Sequence, residues 1–255
     1  MTSDAVQRLA DTVGIEGTGR GLPFTPVFPF LLRLIPCTAR SLLRVRFTGL
    51  SRISKTGPLI LAGNHTSHVD PLMKILGSRR TLRFLTKKEH FKALGLRQVM
   101  TWTGQIETDR QAGAGDALSR AVDILQCGSP MGLFPEGTRS RNQAPPFLQR
   151  GKTGIARLAA TFPDLPVHPI AIKGSRDMLA PRSSKISLFA KVTMHIGEEV
   201  TWREWLLHPD GGAYDSEKIA VVVTLDEQDR MAELGGLYRR FTDQFIESIR
   251  ALGAP

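Results

Sequence analysis

Hydrophobic positions along this chain follow two rhythms, continuous short runs and a three-to-four-residue recurrence. The runs Leu59–Gly63, Leu82–Thr86, Met131–Phe134, Val167–Ile172 and Lys191–Ile196 are short, apolar and bounded by turn residues, which predicts buried strands. Between them the spacing predicts helices. Pro71–Leu76 follows Asp70, and Glu89–Leu94 is closed by Gly95. Leu118, Ala121, Val122 and Leu125 form a stripe capped by Asp116 and ended by Gly128, and Thr153–Thr161 is a further helix. Met231, Leu234, Tyr238, Phe241, Phe245, Ile249 and Leu252 then recur at helical spacing, with Asp226 or Asp229 as cap and the apolar stripe expected to lie on the sheet. Strands alternating with helices predict an α/β fold: a mostly parallel central sheet flanked by helices.

Ahead of this alternation the pattern differs. Residues 1–21 are small, polar and glycine-bearing, which predicts a frayed or loosely docked start. Residues 22–36 pack Phe24, Phe28 and Phe30 with aliphatic residues and Arg33, and Ala39–Phe47 interleaves arginines with leucines. Proline interrupts the segment, and no run reaches the 18 or so apolar residues of a membrane span. It reads as an apolar, basic helical segment that either lies among lipid headgroups or packs as a helix hairpin on the domain. The expected division is therefore 1–57, a membrane-associating segment, and 58–255, the α/β domain.

Composition sharpens this. The chain has 255 residues, 41% hydrophobic, enough for one large domain. Its two cysteines, Cys37 and Cys127, are too few for a disulfide scaffold. Net charge is +10, and no acid occurs from Gly17 to Val69, whereas twelve of the 24 acids lie between Glu198 and Glu247. A cationic front of this kind suits an anionic membrane, an acidic substrate or nucleic acid. The basic stretches lack the interleaved aromatics of single-strand platforms, and no helix-turn-helix or zinc pattern is present, so a nucleic-acid partner is not expected. Lys74, Arg79, Arg80, Arg83, Lys87, Lys88, Lys92 and Arg97, facing only Glu89, read in part as solvated surface.

Two stretches carry candidate chemistry. In Asn64-His65-Thr66-Ser67-His68-Val69-Asp70-Pro71 a histidine precedes a carboxylate by five residues on a strand-to-helix turn. Imidazole titrates near neutrality and takes a proton from a hydroxyl, and a carboxylate orients it. Asp70 before Pro71 also suits a helix cap, His65, His68 and Asp70 could ligate a metal, and Ser67 suits a turn hydrogen bond. In Phe134-Pro135-Glu136-Gly137-Thr138-Arg139-Ser140-Arg141 a glycine stands between an acid and two guanidinium groups after a buried strand, a composition matched to phosphate.

With these motifs the chain resembles the glycerolipid acyltransferase family typified by 1-acylglycerol-3-phosphate acyltransferase. Four blocks match in order: Asn64–Asp70, Gly104–Arg110, Phe134–Ser140 and Val167–Ile170. The second departs from the family pattern in carrying Glu107-Thr108 where apolar residues are usual. The resemblance implies transfer of a fatty acyl group from a coenzyme A or acyl-carrier-protein thioester to the hydroxyl of a lysophospholipid phosphate, without cofactor or metal. It implies that His65 is the base and Asp70 its orienter. Arg110, Glu136, Gly137, Thr138 and Arg139 would hold the glycerol phosphate, and Pro169 would shape the acyl site. Related acceptors are glycerol 3-phosphate, an ornithine lipid and a phosphatidylinositol glycoside. A peripheral, monotopic enzyme on the cytoplasmic face of a membrane is the implied setting.

Overall fold

The computed structural model describes every residue except 1, 14, 31, 35–43, 92–95, 109–113, 182 and 184. Among the described residues the elements run α1 (Thr2–Asp11), β1 (Val45–Thr48), β2 (Ile60–Gly63), α2 (Asp70–Ser78), β3 (Leu85–Lys87), α3 (Leu96–Trp102), β4 (Ile106–Thr108), α4 (Ala114–Gln126) and β5 (Met131–Leu133). They continue as α5 (Gly154–Thr161), β6 (Val167–Lys173), α6 (Ser175–Met178), β7 (Val192–Ile196), α7 (Trp202–Leu207), α8 (Ser216–Thr224) and α9 (Glu227–Ala251).

Five strands form one sheet in the order β1-β7-β6-β2-β5. β6, β2 and β5 are mutually parallel, β7 runs against β6, and β1 is parallel to β7. The parallel β3–β4 ladder continues this sheet, because Arg83 bridges Met131 on β5. The carboxyl ends of β2, β3, β4, β5 and β6 therefore share one edge, where open α/β sheets place their ligands. Both candidate motifs leave strands at that edge.

The continuous apolar runs reflect burial on both faces. Ile60 and Ala62 of β2 point into a core shared with α1, α4, α5, α7, α8 and α9, while Leu59 and Leu61 point into a smaller core under α2. Helix α9 buries Leu234, Leu237, Tyr238, Phe241, Phe245, Ile246 and Ile249, and Asp226 caps it by accepting from the Asp229 amide. Met231, expected in the stripe, is exposed. Asp116 does not cap α4; the helix begins ahead of it.

Two expectations for the amino-terminal part are corrected. The chain start is docked, with Ala5, Val6 and Leu9 of α1 buried in the larger core. Thr18 and Gly19 then bind the Asp123 carboxylate, which Arg120 also holds, and Arg83 reaches Pro23 and Thr25. Apolar alternation in Ala5-Val6-Gln7-Arg8-Leu9 was too brief to outweigh the surrounding small polar residues. Val45–Phe47, read as part of the basic segment, belongs to sheet strand β1, paired with β7. Of the segment between, 35–43 lies outside the described residues, and helical turns occupy 27–30 and 32–34. Of the helix expected over Glu89–Leu94, residues 89–91 belong to a short 3₁₀ turn, Lys88–Phe91, and the remainder with Gly95 lies outside the described residues. No helix among the described residues is long and apolar enough to cross a membrane.

Candidate active site

Strand β2 ends at Gly63, and Asn64 fixes the exit. Its side chain donates to the Ile172 carbonyl at 2.8 Å and accepts from the Ile172 amide at 2.7 Å, so it extends the β2–β6 ladder by one pseudo-rung. The next residue, His65, emerges with Nδ1 3.0 Å from Asp70 Oδ2. That oxygen also accepts the Thr66 and Ser67 amides, each at 2.7 Å. Asp70 is fully buried, and these donors replace the water its charge has lost. The carboxylate thus folds the loop back on itself and does not cap the helix ahead; the N-cap position of α2 is Val69, with no side-chain cap. Ser67 Oγ accepts from the Val69 amide at 3.3 Å, the turn bond expected of it, and donates to the distant Leu179 carbonyl.

With Nδ1–H engaged by Asp70, Nε2 is the nitrogen left to accept a proton. The His65 side chain is 17% exposed and lines the cavity described below. Burial draws its pKa below the ordinary 6.5, with Asp70 opposing that shift, so the imidazole is neutral and basic at neutral pH.

The second motif is laced to the first. The amide of His65 donates to Glu136 Oε1 at 2.7 Å, and the carbonyl of His65 accepts from the Ser140 amide at 2.9 Å. The other Glu136 oxygen accepts from Gln149 N. Between these anchors Gly137 turns the chain at φ 73, a left-handed conformation in which a Cβ would lie 2.9 Å from the Lys152 side chain. Phe134 stacks on His65 with centroids 3.9 Å apart and planes 16° from parallel.

Both motifs open on one cavity of about 1800 Å³. Lys87, Arg139, Arg141, Lys152, Arg157 and Arg176 line it, with Lys87, Arg141 and Lys152 exposed at the surface, and no Asp or Glu is among its described lining residues. The buried Ala121 of α4, Met131 and Gly132 of β5, and Ile155 and Leu158 of α5 give it an apolar wall. Gly132 leaves room for the Phe84 ring, which a Cβ there would strike at 2.1 Å.

The sequence-derived residues distribute as follows. His65, Gly137, Thr138 and Arg139 line the cavity, and Asp70 lies behind His65. Glu136, expected to hold substrate, is 2% exposed and instead spends both oxygens on backbone amides that join the motifs. Pro169, expected to shape the acyl site, is also displaced from it. It lies within β6 where the β6–β7 pairing begins, its carbonyl accepting from Gly197 and its ring packed against Gly197. A residue without an N–H fits the point where a ladder starts. Arg110 falls outside the described residues. Sequence reasoning missed Lys74, assigned to basic surface but fully buried behind the site. Its place four residues after Asp70, on the same helix face, was the available signal.

A histidine paired with a buried carboxylate thus opens on a cavity lined by basic and apolar side chains. Residues 44–173 match the Acyltransferase family model, and the chain belongs to that family. It is similar to the 1-acyl-sn-glycerol-3-phosphate acyltransferase of Borreliella burgdorferi, 28% identical over 128 residues that cover 47% of this chain and 51% of that one. The mouse alpha enzyme of the same name is 28% identical over 62% of this chain and 55% of its own, and the Bacillus subtilis enzyme 26% identical over 54% and 63%. These matches span little more than half of the curated relatives' length. Among solved structures, that of the 1-acyl-sn-glycerophosphate acyltransferase PlsC from Thermotoga maritima shares the fold at a TM-score of 0.57. It is 23% identical and covers 88% of this chain and 81% of its own.

Proposed function

We propose that the chain transfers a fatty acyl group from an acyl thioester to the free hydroxyl of 1-acylglycerol 3-phosphate, giving phosphatidic acid. The observation that carries this reading is the single cavity on which the His65–Asp70 pair, the Arg139 loop and an apolar interior all open. In the proposed reaction His65 Nε2 takes the hydroxyl proton as the oxygen attacks the thioester carbonyl carbon. Asp70 stabilises the resulting imidazolium. The C–S bond then breaks, and the imidazolium returns its proton to the departing thiolate. Arg139, with Arg141 and the Gly137–Thr138 turn, holds the phosphate, and Arg110 would be a further contact from the second block. The names of the similar proteins support this acceptor.

The donor is a thioester of coenzyme A or of acyl carrier protein, whose phosphates suit the basic side chains lining the cavity. The setting is the cytoplasmic face of an anionic membrane. Phe24, Phe30, Leu34 and Trp102 are exposed, and Val27, Phe28 and Leu32 beside them line the cavity, so the residue 22–36 segment would rest on lipid at the opening. Incubating the purified chain with a thioester donor and a panel of 1-acylglycerol 3-phosphate, glycerol 3-phosphate, ornithine lipid and phosphatidylinositol glycoside tests the reading. Phosphatidic acid as the dominant product is expected. Preference for another acceptor would move the chain to a different branch of the family, and no thioester consumption would overturn the activity.

A further inference from the structure

Behind the catalytic turn lies a charge that the reaction above leaves unused. Lys74, on α2, is fully buried. Its Nζ donates to the Leu133 carbonyl at 2.6 Å and to the Leu61 carbonyl at 3.2 Å. Those carbonyls belong to β5 and β2, the two strands that deliver the two motifs. The same ammonium sits 3.8 Å from the centroid of Phe134, whose ring stacks on His65. A cation on one side of an aromatic ring and an imidazole stacked at 3.9 Å places lysine, phenylalanine and histidine in a single column.

We propose that Lys74 is a positioning residue for the His65 base: it clamps the ends of β2 and β5, seats Phe134 against the imidazole, and places a positive charge behind that ring. A buried lysine is a costly way to hold two carbonyls, since a small polar side chain or a backbone donor would do so without removing an ammonium from water. What the ammonium adds is charge. Four charged groups act on this column: Asp70 from α2, Glu136 and Arg139 from the loop after β5, and Lys74 itself. Burial lowers the Lys74 pKa to about 7 and raises that of Glu136 to about 7, while each of the pair favours the charged form of the other. Below neutrality Lys74 is an ammonium, and a positive charge near His65 disfavours imidazolium. The lysine thus adds to burial, the larger cause, in disfavouring the protonated base under mildly acidic conditions, against the opposite pull of Asp70.

The test compares wild type with Lys74→Gln, which keeps a donor for the carbonyls without the charge, and Lys74→Met, which keeps neither. Two readouts are taken on folded protein: the ¹⁵N-histidine NMR titration of His65 and the pH dependence of kcat/KM. Both variants are expected to titrate His65 roughly half a pH unit or more higher. The acid limb of kcat/KM should move by the same amount, with both KM values within about threefold of wild type. A folded variant whose His65 titrates where wild type does would reduce Lys74 to a structural clamp and overturn the proposal. Should both variants fail to fold, wild type decides. His65 should then show a second inflection coincident with the Lys74 ε-signal in ¹³C-lysine spectra, and a single-step His65 curve would overturn the proposal. The kinetic readout rests on the acyl-transfer reading and the NMR readout does not, so loss of one can be told from loss of the other.

Discussion

Two imidazoles on neighbouring strands, one half-buried past the end of β2 and one enclosed within β6, show what makes a histidine chemically available. His65 follows β2 at the carboxyl edge, while His168 lies within β6, two residues into the strand and 0% exposed. Burial lowers the pKa of each below its ordinary value. Each has a carboxylate nearby, Asp70 at 3.0 Å from His65 and Glu199 at 3.4 Å from His168. Electrostatics alone would not tell them apart. What differs is access and rigidity. The carboxylate of Asp70 is sealed and held by two backbone amides, leaving Nε2 of His65 to the cavity, whereas Glu199 is a half-exposed surface group and the ring of His168 is enclosed, with Nδ1 toward the Gly197 carbonyl. A proton-transfer site needs one fixed nitrogen and one reachable nitrogen.

The contrast can be broken most severely at the fixed nitrogen. Asp70→Asn keeps the shape of the side chain but removes the charge that stabilises imidazolium and selects its tautomer, so kcat/KM for acyl transfer should fall about 10³- to 10⁴-fold. Initial rates with saturating thioester check this, and a fall of less than tenfold would place Asp70 in a purely structural role. Next in size is Arg139→Ala. Loss of a charge-assisted phosphate contact, about 1.5–3 kcal/mol, should raise the acceptor KM roughly 10- to 100-fold while the donor KM changes little. A rise confined to the donor would move the acceptor phosphate elsewhere.

His168→Ala sharpens the comparison from the other side. Removing a buried ring between β6 and the residue 197–199 turn should cost about 1–3 kcal/mol of stability, read as a lowered thermal midpoint, with kcat per folded molecule unchanged. A large kcat loss at unchanged stability would give His168 a part in the reaction. The smallest effect is the pH profile of wild type. The unprotonated imidazole is the active form, so activity rises with pH through the His65 pKa, and burial sets that pKa below 6.5. The acid limb of kcat/KM should therefore lie below pH 6.5; a limb above it would mean that Asp70 outweighs burial.

Much of this site was legible in the sequence because its parts are local. The β2 run, the glycine turn and the His65-to-Asp70 spacing each specify a conformation within a few residues. Glu136 and Lys74 were misplaced for the opposite reason. A carboxylate beside Gly-Thr-Arg reads as part of a phosphate grip, and only the approach of β2 to β5 shows that its partners are the amides of His65 and Gln149. Lys74 sits in a run of eight basic residues, and only its place four residues after Asp70 on one helix face sets it apart. Pro169 was assigned through a motif whose position in the strand order is a tertiary property. The docked α1 was hidden by brevity, since its apolar face, Ala5, Val6, Leu9 and Ala10, is built largely of small residues within ten positions.

The central claim is that the cavity-facing nitrogen of His65 takes the acceptor's proton. Its most direct test is the turnover of His65→Ala with 1-acylglycerol 3-phosphate and a thioester donor, alongside its thermal midpoint. Turnover reduced at least a hundredfold, with a midpoint within a few degrees of wild type, is the expected result. A folded variant with wild-type turnover would contradict it.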